Sequence, residues 1–422
     1  LLKTKEAFSK HWQEKAFLYS LLFFAVLLPF QPKTPPLTLG IMLAGLVWLI
    51  SLNFKSKLAA LGNSRVAVFM LAYLLWCIVG LLYTDNLKEG SQDVFQKVPF
   101  LAFVAFFCAS PVFRKRYKGF LVNAFIISAG IICGYSFISA FIDYNASDDA
   151  LRFHFEQLTL TSMVPPHYLA MFLNFGYGIL LYNILRGHSL IKRWLDIFLA
   201  LLFFITIVFL SVRMQYATFI IVNLLIVWRY SAQRKGSLFA WGAVLVLLAV
   251  FTAGVLSYEG SRRRIGDAVN EAISFNRKVN DKQTNHRKFL WQYGWRSIQE
   301  KPILGHGTGA ADEALHQALQ ASDAQFWDGH DLYYIRDVRY NFHNEYLQQF
   351  ATHGAIGLFI LLVMLFAPIL GMQLDYRAKV FLLVCALSFL TESMLQRQAG
   401  ILFFSFFYTL LLPNRAEKAI SA

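Results

Sequence analysis

Charge is scarce in this chain. Asp, Glu, Lys and Arg make up 15% of its 422 residues, against about a quarter in soluble domains, which excludes an ordinary water-surrounded fold. Cysteine is scarcer still: Cys77, Cys108, Cys133 and Cys385 are the only four. All lie in apolar runs, without metal-ligand spacing and away from loops, so neither a disulfide framework nor a cysteine metal site is read from them. No internal repeat, low-complexity linker or nucleotide-binding motif is visible. Gly305-His306-Gly307-Thr308-Gly309 imitates a phosphate loop, but no strand is expected before it and no Gly-Lys-Ser/Thr follows. It reads instead as a tight turn whose backbone passes close to another element. No Asp, Glu or His cluster at metal-ligand spacing occurs in the loops. No metal or cofactor is therefore expected. A transfer reaction here needs an already activated substrate, with arginines in place of a divalent cation.

What the chain has in abundance is apolar sequence. Hydrophobic residues reach 57%, with 41 Phe, in long runs that suit lipid-facing helices. A bilayer core needs roughly 20 apolar residues per helix, and about twelve candidate spans follow. They run near 16–32, 37–53, 66–84, 94–112, 119–142, 162–185, 193–212, 214–229, 238–257, 354–372, 378–394 and 398–413. The first ends at Leu28-Pro29-Phe30 without small residues at a cleavage position, which predicts an uncleaved span. The fold class is an all-α polytopic membrane protein.

A net charge of +14 suits nucleic acid or an anionic membrane component. The basic residues sit between apolar spans, so the lipid bilayer is the expected partner and nucleic acid is not. If the termini and every second loop share one side, that side holds 21 of the 39 Lys and Arg, the opposite short loops 6, and one long loop 12. Long loops are exempt from the positive-inside rule, and both termini are expected in the cytoplasm. The chain divides into spans over 1–257, a long outer loop over 258–342, an outer helix with the last three spans over 343–413, and a cytoplasmic tail over 414–422. Within the loop, Ile265, Val269 and Ile273, then Phe289 and Tyr293, keep helical spacing, and 311–321 reads as a short amphipathic helix. The stretch 323–340 lacks periodicity and is a candidate lid.

Few residues in this plan carry chemistry. With Asn341 as N-cap, His343 would share a helix face with Leu347 and Phe350 at the water–membrane boundary. An imidazole there suits a general base; the blander reading is a helix-start histidine satisfied by backbone. Arg213 stands in a tight connection between two spans, where a guanidinium either contacts phosphate or snorkels to the interface. Arg287 opens a helical segment and offers a planar fork for phosphate oxygens, or is a plain loop charge. Lys88, Lys97 and Arg152 are read as outward-facing residues adding positive potential. Glu392 and Arg397 flank the last outer connection, and a mutual pair is their simplest reading. Arg262-Arg263-Arg264 reads as a solvated or headgroup-facing cluster, and His167 as packed at an outer helix start.

Taken in order, Arg287, Trp291, Pro302-Ile303-Leu304-Gly305-His306-Gly307, His343-Asn344-Glu345-Tyr346-Leu347, Gly354 and Gly357-Leu358 resemble the O-antigen ligase family, within the wider group of O-antigen ligases and polymerases. A further family arginine follows a small residue after an apolar span; here Val212 precedes Arg213, with Ser211 before it. The resemblance spans nearly the whole chain. It implies a membrane glycosyltransferase of the GT-C type with a helical periplasmic loop domain, in a Gram-negative inner membrane. It also implies metal-independent, inverting transfer from undecaprenyl diphosphate-linked O-antigen to lipid A–core oligosaccharide in lipopolysaccharide synthesis. His343 would be the catalytic base, Arg213 and Arg287 the diphosphate ligands, and Lys88, Lys97, Arg152 and Glu392 a second tier. An O-antigen polymerase or protein O-oligosaccharyltransferase of the same group is the near alternative. A lipid-linked glycan transporter is the distant one, disfavoured because polar residues gather at the outer boundary rather than midplane.

Overall fold

The computed structural model describes the chain except residues 1, 32–34, 52–53, 161–163, 191, 233–237, 275–285, 321–324, 328–331, 335–338 and 414–422. It is helical almost throughout. In chain order come α1 (Leu2–Leu27), α2 (Pro36–Ile50), α3 (Phe54–Gly62), α4 (Arg65–Val79), α5 (Leu87–Gln96), α6 (Val98–Phe103) and α7 (Pro111–Ser147). Next are α8 (Phe155–Thr159), α9 (Pro166–Arg186), α10 (Arg193–Leu210), α11 (Arg213–Ser231), α12 (Leu238–Ser257) and α13 (Glu259–Ser274). After α14 (His286–Glu300) and α15 (Ala311–Gln320), the strands β1 (Gln325–Trp327) and β2 (Leu332–Tyr334) pair antiparallel. The chain then closes with α16 (Glu345–Gly371), α17 (Tyr376–Ser388) and α18 (Gln398–Leu411).

Each of the twelve expected apolar segments is largely helical. Among the described residues, six helices are long and apolar enough to cross a bilayer, or eight if each of two sharply bent pairs is one span. This fits a polytopic membrane protein. Of the remainder, 214–229 lies in the continuous α11 and 398–413 in the short α18, whereas 94–112 is divided between the end of α5, α6, a π-helical turn at Val104–Cys108 and the start of α7. The stretch 323–340 contains β1 and β2, while most of the rest of that candidate lid, like the 414–422 tail, lies outside the described residues.

Local signals explain many helix ends. Pro166 opens α9, whose last turn is stopped by Gly187 at φ +72°. Ser64, Asn86 and Asp375 cap α4, α5 and α17 by accepting from the backbone N–H three residues on. Helix α9 is the centre of the bundle, with 78% of its apolar window buried. Around it the phenylalanines interlock: Phe403 and Phe407 of α18 meet Phe125, Phe175 and Phe381 with centroids 4.7–6.2 Å apart, edge-on or tilted as ring quadrupoles prefer. All four cysteines are buried and unbridged.

A second, smaller core lies at the end of the bundle that carries the long loop. Phe289, Leu290 and Ile298 of α14, Leu315 and Leu319 of α15, and Phe342 and Ala351 beside and within α16 pack together. The Phe342 ring lies against Gly294, where an added Cβ would come within 2.6 Å of it, and Trp291 Nε1 donates to the Phe342 carbonyl at 3.0 Å. This core fixes α14, which carries Arg287, against the segment that carries His343.

Candidate functional site

His343 lies outside the helix that follows it. The N-cap of α16 is Asn344, not Asn341: its side chain accepts from Leu347 N at 3.0 Å. Asn341 Oδ1 instead accepts from His343 N at 3.0 Å, an Asx turn that holds His343 at φ +44°. A left-handed conformation is costly for a residue with a Cβ and marks sites where the surroundings enforce it. The enforcement comes from the 389–397 connection. Glu345 N donates to Phe389 O at 2.8 Å, Asn344 Nδ2 to Leu390 O at 3.0 Å, and Leu395 N to the Glu345 carboxylate at 2.8 Å.

That connection carries Glu392, whose two oxygens are divided between two partners. Oε1 takes Arg287 Nη2 at 2.9 Å, and Oε2 faces His343 Nδ1 at 3.2 Å. The expected Glu392–Arg397 pair is thus replaced: α14 and the Asx turn bring a guanidinium and an imidazole closer to the carboxylate. Burial alone would push the Glu392 carboxyl up; the His343 hydrogen bond and the charges of His167, His343 and Arg287 outweigh it, holding the group near about 2. His167, at the start of α9, lies within electrostatic reach of Glu392, His343, Arg287 and Arg397. The His343 side chain keeps 28% exposure, so its ring is reachable from outside.

Arg213 is the first residue of α11, placed there by Ser211, which turns the chain out of α10 at φ +52°. Arg264, on α13, reaches back toward the Ser211 carbonyl at 3.5 Å and stacks on Phe155 at 3.4 Å. It lies within electrostatic reach of both Arg213 and Arg287. Arg262 and Arg263 of the triple-arginine run are exposed, as a solvated cluster requires, and Arg263 pairs with Glu259. Arg264 was legible only in part. Its run was visible, but its direction was not, because that depends on the 92° bend between α12 and α13.

The second tier separates. Lys97 does not face outward; it is fully buried and ion-paired with Asp93 one turn earlier, since an unpaired ammonium there would be prohibitively costly. Lys88 is exposed on α5, and Arg152 pairs locally with Asp149 at 3.8 Å. Among the described residues, neither joins the group around Glu392. The glycine-rich turn also has a definite role. Gly305, Gly307 and Gly309 all hold φ between +74° and +93°, and His306 N and Gly307 N donate to Ala351 O and Thr352 O at 2.9 Å. These carbonyls lie just before Gly354, where α16 is broken at φ +65°.

Fold and site together define a polytopic helical membrane protein whose imidazole, carboxylate and guanidinium groups gather beside its long loop. Residues 198–362 match the O-antigen ligase family. The matched stretch covers less than half of the chain; it contains Arg213, Arg264, Arg287 and His343, whereas Glu392 lies beyond it. A Haemophilus influenzae protein described as uncharacterized is 24% identical over 135 residues, which is 30% of this chain and 31% of that relative.

Proposed function

We propose that the protein is an O-antigen ligase. It would transfer a polysaccharide from undecaprenyl diphosphate to a hydroxyl of lipid A–core oligosaccharide, at the periplasmic face of a bacterial inner membrane. The observation that carries this reading is the Glu392 carboxylate held between His343 and Arg287. By taking the Nδ1–H, Glu392 fixes the tautomer that leaves Nε2 as the proton acceptor and stabilises the imidazolium formed. The acceptor oxygen attacks the anomeric carbon and loses its proton to His343 Nε2. The bond from that carbon to the phosphate oxygen breaks, and its electron pair leaves with the diphosphate. Attack opposite the leaving group inverts the anomeric centre. Arg213 and Arg287, with Arg264 between their fields, suit the charge that grows on the leaving group; one such contact is typically worth about 3–4 kcal/mol at the transition state.

The test is reconstituted ligation with defined donor and acceptor, repeated with a chelator. His343→Ala is expected to lose transfer by about 10²–10⁴-fold or more, while inserting normally and still binding donor lipid. Arg213→Ala and Arg287→Ala should each impair donor binding or turnover. Near-normal ligation by the His343 variant removes the base, and chelator sensitivity removes the metal-independent scheme. Supplying lipid A–core, glycan-lipid alone or an acceptor protein separates ligase, polymerase and protein-glycosylating activities.

A further inference from the structure

A second feature adjoins the His343–Glu392 pair: a cavity of about 240 Å³ whose lining is almost wholly polar. One wall is a single face of α5, where Glu89, Gln92, Asp93 and Gln96 follow i, i+3, i+4, i+7 spacing. Opposite stand Asp312 at the start of α15, Gln348 in the first turns of α16, and Gln396 in the connection that carries Glu392. Gln348 is shared between cavity and site. Its amide donates to Asp312 at 2.8 Å, and its oxygen accepts from Phe342 N at 3.1 Å and Ser393 Oγ at 3.3 Å. Those last two are the residues adjoining His343 and Glu392 in sequence.

The chemistry of the lining is selective. Its described residues include no cation, and two of its carboxylates are already paired with cations behind it: Arg339 grips Glu89 with bonds of 2.8 and 2.6 Å, and Lys97 is paired with Asp93. Among the described residues, phosphate therefore finds carboxylates without an available cation, quite unlike the surroundings of Arg213, Arg264 and Arg287. Burial also pushes the Asp312 carboxyl up to about 6, against the Gln348 hydrogen bond and the Arg339 charge. What remains is a concave array of amides, which donate and accept, and carboxyls, which accept. This is how a neutral polyhydroxylated ring is held.

Resting on the ligase reading above, we propose that this cavity is the subsite for a neutral sugar of the acceptor glycan. It would present the acceptor hydroxyl to His343 from the side opposite the arginines. Donor diphosphate and acceptor sugar would then enter by chemically distinct flanks.

The test uses the full-length protein in detergent, with core oligosaccharide freed of lipid and phosphate as the probe. Saturation-transfer NMR should detect binding to the wild type. Gln92→Ala with Gln96→Ala should weaken it about tenfold, as loss of one or two hydrogen bonds predicts. In ligation the same variant should raise the acceptor KM about tenfold, leaving kcat and donor KM within about twofold. Gln92→Trp, which fills the cavity, should do the same, and an unchanged thermal melt shows that both variants fold. A raised donor KM with normal acceptor KM overturns the assignment, as do silent variants in an active ligase. Probe binding that is lost in the variants, in a protein that ligates nothing, keeps a sugar site and sinks the ligase reading instead.

Discussion

Glu392 is the residue on which the site's electrostatics turn. One carboxylate accepts from a guanidinium and orients an imidazole, so removing its charge while keeping its shape separates catalysis from folding. Glu392→Gln is expected to lower kcat by about 10²–10⁴-fold, because an amide no longer fixes the His343 tautomer or stabilises its protonated form. Acceptor KM should move little. The same carboxyl predicts a pH dependence of stability. Its folded value of about 2 lies below the ordinary 4.5, so the folded state is favoured when it is charged. That stability is present above about 4.5 and is lost as pH falls toward 2. Thermal melts in detergent should show this acid limb in the wild type and a weaker one in the Gln variant; equal limbs would remove the claim. His343 was legible from its residue type and its place at a span boundary. Its partner was not, because the sequence offered Arg397 five residues from Glu392, whereas the actual ligands come from α14 and the Asx turn.

At the scale of elements, amphipathic spacing and apolar runs read well because both are local. Helices α13, α14 and α15 fall where Ile265, Phe289 and the 311–321 pattern put them. Breaks read poorly. The kink at Gly354 arises where the Ile303–Leu304 backbone packs against the helix, and no apolar periodicity encodes that. The glycine turn shows the cost of such packing. An added Cβ at Gly309, held at φ +85°, would lie 2.2 Å from Gly90 N, a backbone atom with little room to move. Backbone strain alone costs about 1–3 kcal/mol, and displacement of α5 adds to it. Gly309→Ala should therefore lower the melting temperature and shift the α5 wall of the polar cavity. Gly62→Ala, with nothing within 4 Å of its Cβ, should leave the melt unchanged. Equal melts for the two variants would show that the turn does not bear on α5.

Over the whole molecule, class was legible because composition alone rules out burying so much apolar surface in water, whereas the number of full-length spans was not. Length windows cannot distinguish a straight span from two short helices meeting at a bend. Sidedness rests on charge: 21 Lys and Arg on the terminal side against 6 in the opposite short loops, a difference that the translocation machinery reads. On the orientation we propose from it, Lys88, on the exposed face of α5, is periplasmic, and Arg116, on α7, is cytoplasmic. The four native cysteines are buried, so single-cysteine labelling has a low background. In intact spheroplasts, Lys88→Cys should react with a membrane-impermeant maleimide, whereas Arg116→Cys should react only after permeabilisation. The reverse pattern would turn the site around Glu392 toward the cytoplasm. Transfer onto a periplasmic acceptor would then be impossible, whatever the geometry of the three side chains.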